Sequence, residues 1–97
     1  MPTWHLYLIR TRGGSLYTGI ATNVARRIEE HRSNSGKCAR YLRGRAPLRL
    51  VYTCPIGDRS LALQVENRIK KLPKHQKEQI VRSKPGCDEL IMVTRIR

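Results

Sequence analysis

Alternating apolar and polar positions predict three β-strands. Residues 3–10, TWHLYLIR, and residues 15–20, SLYTGI, are rich in aromatic and branched side chains, as strands are. The Gly-containing turn between them at 11–14 predicts that they pair as a β-hairpin. Residues 48–54, LRLVYTC, alternate in the same way and predict a third strand, which we expect to end in a turn over 55–58.

Apolar positions at helical spacing predict the helices. The first helix, in TNVARRIEEHRS, begins after Thr22 or Asn23, either of which would cap its N-terminus. The clearest helix covers 59–72, RSLALQVENRIKKL, and a short basic helix opens at Pro73. Beyond Pro85-Gly86, residues 87–97 are compatible with a strand, a helix or a loosely held tail.

These elements predict a small α/β domain in which a three-stranded antiparallel β-sheet is flanked by α-helices that cover its apolar side. A chain of 97 residues supports one domain, which we assign to residues 1–82, with 83–97 as a C-terminal tail of unknown role. No apolar run approaches the roughly 20 residues that span a bilayer, and no secretion signal precedes the first strand. Three widely spaced cysteines are typical of reduced thiols. We therefore expect a cytoplasmic protein.

The excess of positive charge indicates which kind of molecule the protein binds. Twenty Lys and Arg residues stand against seven Asp and Glu residues, which gives a net charge of +13. Such an excess attracts phosphate backbones, so we expect nucleic acid rather than a membrane as the partner. The basic segment 34–47, NSGKCARYLRGRAP, predicts a loop with a short helical turn. Its Lys37, Arg40 and Arg43 are candidate substrate contacts.

Two side chains of the first helix lie at the edge of its apolar stripe. Val24 and Ile28 define the stripe, while Arg27 and His31, four residues apart, follow the edge that meets the sheet. In one interpretation Arg27 lays its aliphatic portion over apolar surface and His31 is a hydrogen-bonded core residue. In the other, both side chains line a functional site.

A single carboxylate lies beside the apolar stripe of the helix at 59–72. Glu66 is the only acidic residue between Arg59 and Lys77, on the side of the helix that carries Ala62 and Ile69. A carboxylate near buried surface in a basic protein can pair with an arginine. It can also hold a divalent cation whose other ligands are water and phosphate oxygens.

The hairpin places two tyrosines according to the length of its loop. A three-residue loop at 12–14 would set Tyr7 opposite Gly19 and Ile9 opposite Tyr17, so that both phenols share one face. Gly19 would then leave open space beside the Tyr7 ring. A two-residue loop would put the phenols on opposite faces.

Five side chains together predict one patch suited to metal-assisted attack of water on a phosphodiester. They are Tyr7, Tyr17, Arg27, His31 and Glu66. Glu66 would hold the cation, and Arg27 would balance the negative charge that develops on the phosphate. Tyr7 or His31 would accept the proton of the water. A phenol does so only if nearby positive charge lowers its pKa.

The ordered set resembles the GIY-YIG nuclease domain. Its second motif is present as Tyr17-Thr18-Gly19, whereas His5-Leu6-Tyr7 stands where Gly-Ile-Tyr is usual and keeps only the tyrosine. The remaining signature is matched by Asn23-Val24, Arg27-Ile28, His31 and Glu66. The resemblance covers about residues 3–80, and the whole chain looks most like the small stand-alone bacterial YhbQ-like members of the family.

The resemblance implies a role for each site residue within the GIY-YIG endonuclease fold. Glu66 would be the sole protein ligand to a Mg²⁺ or Mn²⁺ ion, and Arg27 would stabilise the phosphate. Tyr7 would be the base or water-positioning group, with Tyr17 as its hydrogen-bonding partner. His31 would support the metal-bound water or the phosphate. In addition, the glycine at position 19 would allow close backbone approach.

The leading hypothesis is therefore an endonuclease whose substrate is DNA rather than RNA. Branched or damaged DNA is a candidate substrate, which would give the protein a role in repair. Larger relatives carry a separate target-recognition domain, so this chain would be poorly selective or would depend on a protein partner. One alternative is a non-catalytic nucleic-acid-binding module that keeps the fold. Retention of all five site residues argues against it, since binding alone does not need Glu66. A third, an RNA-binding accessory protein, rests on charge alone.

Overall fold

A computed structural model describes residues 2–33 and 36–95 of the chain. In chain order the elements are β1 (Trp4–Arg10), β2 (Leu16–Ala21), α1 (Val24–Arg32), β3 (Arg49–Gly57), α2 (Arg59–Lys70), α3 (Lys74–Ser83) and α4 (Cys87–Arg95). A short 3₁₀ turn at Arg40–Leu42 lies in the long connection between α1 and β3.

The three strands form one antiparallel sheet with β1 in the centre, in the order β2-β1-β3, which confirms the predicted architecture. Side chains alternate along β1, so Leu6 and Leu8 enter the core formed with α2, α3 and α4. Tyr7 and Ile9 enter a second core formed with α1 and the connection that follows it. Because both faces are covered, β1 is buried on both sides and its polar groups are held rigidly.

The hairpin has the three-residue loop that places both phenols on one face. Thr11 N–H donates to the carbonyl oxygen of Ser15 at 3.0 Å, and Gly14 has φ 92° in the left-handed region. Tyr7 consequently lies opposite Gly19 in the ladder. The predicted register is confirmed.

β3 is longer than the sequence pattern indicates. It runs over Arg49–Gly57, so the expected turn at 55–58 is wrong. Pro55 lies within the strand opposite His5, next to an irregularity in the register. β3 pairs only with β1, and an edge strand tolerates a proline because its other side needs no ladder hydrogen bond.

Side-chain caps fix where α1 and α2 begin. The Asn23 side-chain oxygen accepts a hydrogen bond from Arg26 N–H at 3.0 Å, and the Asp58 carboxylate accepts one from Leu61 N–H at 2.8 Å. Each bond satisfies a backbone donor that a helix start leaves unpaired. Of the two predicted caps for α1, Asn23 is the one used.

An ion pair ties α3 to the end of β1. The Arg10 guanidinium donates two hydrogen bonds to the Glu78 carboxylate, at 2.7 and 2.8 Å. The hydrogen bond from Arg10 holds the pKa of Glu78 at about 2, well below its usual range. This bidentate geometry is the strong form of a carboxylate–arginine contact.

The C-terminal segment forms helix α4, which packs on α2 and β3. Leu90 is fully buried in the same core as the strands. Just before α4, the Tyr52 hydroxyl donates to the carbonyl oxygen of Pro85 at 2.6 Å. Among the three conformations left open for this segment, the structure has the helix.

Within residues 2–33 and 36–95, every helix falls short of the length and apolar character that a bilayer crossing requires.

We expect Leu90→Ala to lower the free energy of unfolding by about 2–5 kcal/mol, because it opens a cavity under α4. The matched control is Met92→Ala on the same helix, where the side chain is exposed and the change should stay within about 0.5 kcal/mol. Urea denaturation followed by circular dichroism measures both. Equal stability of the two variants would mean that α4 does not fold with the core.

Candidate active site

A buried phenol bonded to a buried imidazole forms the centre of the site. Tyr7 from β1 and His31 from α1 are almost completely shielded from solvent. The Tyr7 hydroxyl oxygen lies 3.0 Å from His31 Nε2. Strand and helix are therefore joined by a polar contact inside an otherwise apolar core.

The direction of this hydrogen bond follows from the other ring nitrogen of His31. The backbone N–H of Ala39 donates to His31 Nδ1 at 3.2 Å, so Nδ1 is an acceptor without a proton. A neutral imidazole then carries its proton on Nε2. His31 Nε2–H therefore donates to the Tyr7 oxygen, and Tyr7 keeps its own O–H for another partner.

The surroundings keep both groups neutral at neutral pH. Burial, followed by the positive charge of Arg27, lowers the pKa of His31 to about 4. Burial, followed by the proximity of Tyr17, raises the pKa of Tyr7 to about 12, although the charge of Arg27 acts in the opposite direction. The expected lowering of the phenol pKa is thus absent in the free protein, because burial outweighs the single cation.

Tyr17 completes the aromatic cluster on this face. Its ring centroid lies 6.4 Å from that of Tyr7 and 5.8 Å from that of His31, where the rings meet edge to face. Burial raises the pKa of Tyr17 as well. The hydroxyl of Tyr7 bonds to His31, whereas the resemblance implies Tyr17 as its hydrogen-bonding partner.

Gly19 provides the space in which the Tyr7 ring lies. A Cβ atom at this position would collide with the Tyr7 hydroxyl and would stand 2.5 Å from Cζ of the same ring. The phenol therefore rests directly against the backbone of β2. Any side chain at Gly19 would displace it.

Arg27 is held at the rim of the cluster by two acceptors. Its Nη1 donates to Glu30 Oε1 and to the carbonyl oxygen of Lys37, both at 2.8 Å. Burial acts to lower the pKa of Arg27, but the hydrogen bond that Arg27 donates to Glu30 and its interaction with Tyr7 together outweigh burial and raise the pKa. The guanidinium stays charged, and that charge reaches both phenols.

Sequence reasoning missed Glu30 as the partner of Arg27. Its side chain is only 21% exposed because it folds against Arg27. The three-residue spacing between Arg27 and Glu30 is the signal that indicates this pair.

Glu66 approaches from α2, the helix on the other face of the sheet. Its side chain is 12% exposed and pairs with Lys70 at 3.4 Å. The negative charge of Glu66 raises the pKa of both Tyr7 and Tyr17, so the carboxylate lies within electrostatic range of both phenols. Four of the predicted side chains, Tyr7, Tyr17, Arg27 and His31, lie together on one face of the sheet, and Glu66 interacts electrostatically with the two tyrosines.

The donor set around Glu66 fits one kind of cation. Among residues 2–33 and 36–95, no group of three or more His, Cys, Asp or Glu side chains stands close enough to hold a metal ion. A zinc site, which needs three or four protein ligands, does not fit. A single carboxylate fits Mg²⁺, which keeps several waters and takes its remaining oxygens from substrate phosphates.

The basic connection between α1 and β3 borders the same cluster. Arg40 and Arg43 are exposed at the 3₁₀ turn, and the backbone of Lys37 holds Arg27. Arg32 donates to the carbonyl oxygen of Leu48, which ties the end of the connection to α1. The three predicted substrate contacts, Lys37, Arg40 and Arg43, are therefore exposed residues of this connection, and their contact with substrate stays a prediction.

Comparison with known proteins gives a consistent result. A family model described as the GIY-YIG catalytic domain matches residues 3–79. UPF0213 protein YhbQ of Escherichia coli is 53% identical over 91 residues, which are 94% of this chain and 89% of that protein. UPF0213 protein YE0453 of Yersinia enterocolitica is 55% identical over 83 residues, 86% of this chain and 84% of its own length.

One solved structure is also similar. The solution NMR structure of UPF0213 protein BH0048 from Bacillus halodurans is 41% identical and covers 91% of this chain and 92% of its own. Its TM-score is 0.55. These similarities confirm both the predicted family and the predicted fold class.

We expect His31 to make stability depend on pH. Below its ordinary pKa of 6.5 the unfolded chain binds a proton at His31, whereas the folded protein does so only near about 4. The free energy of unfolding should therefore fall by up to about 3 kcal/mol as the pH drops through this window.

Urea denaturation of wild type and His31→Gln at several pH values measures this dependence, because all other titrating groups are shared. The variant should show a flatter pH profile, while His75→Gln, at an exposed histidine of α3, should keep the wild-type profile. Identical profiles for wild type and His31→Gln would contradict the neutral, buried imidazole.

Proposed function

Because this chain belongs to the GIY-YIG catalytic domain family, a family of nuclease-type domains, we propose that it is a divalent-metal-dependent endonuclease that hydrolyses phosphodiester bonds in DNA. The observation that carries the proposal is electrostatic. A guanidinium on α1 and a carboxylate on α2 both act on the same two phenols, Tyr7 and Tyr17. A binding module needs the guanidinium but has no use for a carboxylate that is only 12% exposed.

The charge of the chain supports nucleic acid as the substrate class. A net charge of +13 favours binding of a polyanion and release of its counterions. We propose that the substrate is DNA and that the protein acts in the bacterial cytoplasm with a role in repair. A protein partner would direct it to its target.

Arg27 is assigned to the scissile phosphate. Its Nη1 donates to Glu30 and to the carbonyl oxygen of Lys37, which fixes the guanidinium at the rim of the cluster, where it would donate to phosphate oxygens. A donor that is already oriented needs no rearrangement as negative charge builds up on the phosphate.

Tyr7 is assigned to positioning the attacking water. At neutral pH its phenol keeps its proton, since burial raises the pKa to about 12. His31 Nε2–H occupies one lone pair of the oxygen, so the hydroxyl is oriented. His31 has both ring nitrogens engaged and acts through Tyr7 as a positioning residue, not as a proton acceptor.

Glu66 is assigned to the cation, either Mg²⁺ or Mn²⁺. When bound, such an ion neutralises phosphate charge and lowers the pKa of nearby water. The carboxylate is available for this role because its ion pair with Lys70 is long, at 3.4 Å, and the lysine is half exposed. Lys70 would then move into solvent.

We expect Glu66→Gln to reduce cleavage of plasmid DNA by about 100-fold or more while DNA binding persists, because it removes the negative charge that holds the cation. Chelator should abolish cleavage by the wild type. The matched control is Glu29→Gln, which removes the same charge at an exposed position of α1 and should retain activity. Equal cleavage by wild type and Glu66→Gln would contradict the role assigned to Glu66, and binding without cleavage by the wild type would favour the binding module.

We expect Arg27→Ala to reduce the cleavage rate by about 100-fold, because the phosphate loses its fixed cation. Arg26→Ala removes the same charge one residue earlier, where the side chain is exposed, and should change the rate less than about threefold. Initial rates at saturating DNA measure both. Similar losses in the two variants would indicate that Arg27 contributes only to general attraction of DNA.

A further inference from the structure

An exposed tyrosine extends the buried aromatic cluster to the surface. Tyr41, in the 3₁₀ turn of the basic connection, is 42% exposed. Its ring stacks on that of Tyr17, with centroids 6.0 Å apart and an interplanar angle of 19°. A continuous line of rings thus runs from the buried His31 through Tyr17 to solvent.

The ring of Tyr41 is held in place by three contacts. The guanidinium carbon of Arg45 lies 4.3 Å from the ring centroid, and Arg45 Nε donates to the carbonyl oxygen of Tyr41 at 2.6 Å. The Tyr41 hydroxyl donates to Ser15 Oγ at 2.9 Å. We call the Tyr41 ring and the Arg45 guanidinium together the stacking platform.

Neither component of the stacking platform serves the core. Tyr41 lies outside both buried clusters, and Arg45 is exposed. Of the four tyrosines, only Tyr52 packs in the core beneath α4. The other three lie together at the candidate site.

We propose that the stacking platform binds an unpaired nucleobase of the DNA strand next to the scissile phosphate. Nucleobases stack on phenol rings and on guanidinium planes. Because the Tyr41 ring already contacts both Tyr17 and the Arg45 guanidinium, the base would stack on the exposed face of the platform. The neighbouring exposed side chains of Arg40 and Arg43 would bind the flanking phosphates. This proposal rests on the proposed function, because it names the form of DNA that the same site accepts.

A consequence for substrate choice follows. In an intact duplex both faces of every internal base are covered by its neighbours, so only phosphates would reach this surface. A strand that is single, frayed or unpaired beside the cut exposes the face of a base. The platform therefore selects DNA with an unpaired nucleotide at the cleavage site over continuous duplex.

The test is binding of a short single-stranded DNA that carries the fluorescent base 2-aminopurine, in chelator so that no strand is cut. Stacking on the platform should quench the fluorescence of the wild-type complex. Tyr41→Leu should remove this quenching and weaken single-strand binding about tenfold, with less than a twofold change for duplex of the same sequence.

Two further variants separate the ring from other effects. Tyr41→Phe keeps the ring without its bond to Ser15 and should keep the quenching. Arg45→Lys keeps the charge without the planar surface and should reduce it, which provides a test should Tyr41→Leu not fold. Met92→Ala, on α4, is the control for an unrelated exposed side chain.

The proposal is overturned if Tyr41→Leu weakens duplex and single strand equally, if Tyr41→Phe loses as much as Tyr41→Leu, or if wild type causes no quenching. Because no cleavage is needed, its failure is distinguishable from that of the proposed function. If the wild type quenches the fluorescence but cleaves no DNA in Mg²⁺, only the proposed nuclease activity is refuted. If the protein cleaves DNA and cleavage does not depend on Tyr41, only the proposed role of the stacking platform is refuted.

Discussion

A buried phenol pressed against a glycine backbone is the constraint on which the rest of this site depends. Tyr7 occupies the centre of the central strand, and the absence of a Cβ at Gly19 leaves the space in which its ring lies beside β2. The phenol must then satisfy its oxygen inside the protein, since a buried unpaired hydroxyl is costly. His31 satisfies it and thereby fixes the position of α1 on the sheet.

The same burial determines what the site can do chemically. Shielding from water raises the pKa of Tyr7 and lowers that of His31, so both are neutral at neutral pH. The charges that act on Tyr7 are carried by Arg27 on α1 and by Glu66 on α2. A neutral hydrogen-bonded centre suits orientation of a water more than abstraction of its proton.

Local chemistry explains why much of this was predictable from the sequence. Loop length determines which side chains of a hairpin share a face, and so Tyr7 and Gly19 could be paired. Helical spacing likewise placed Arg27 at the edge of α1. The extension of β3 through Pro55 could not be predicted, because tolerance of a proline depends on the strand being at the edge of the sheet.

The backbone contacts that sequence reasoning missed share a physical origin in the connection between α1 and β3. This segment acts on the site through its main chain, as Ala39 N–H sets the tautomer of His31 and the carbonyl oxygen of Lys37 holds Arg27. Backbone groups have no residue-specific signature, so no motif indicates them. Their positions depend on the conformation of the whole segment, which also carries Tyr41. Contact with a nucleic acid on the exposed side of this segment would therefore bear directly on the orientation of Arg27 and His31 on its inner side.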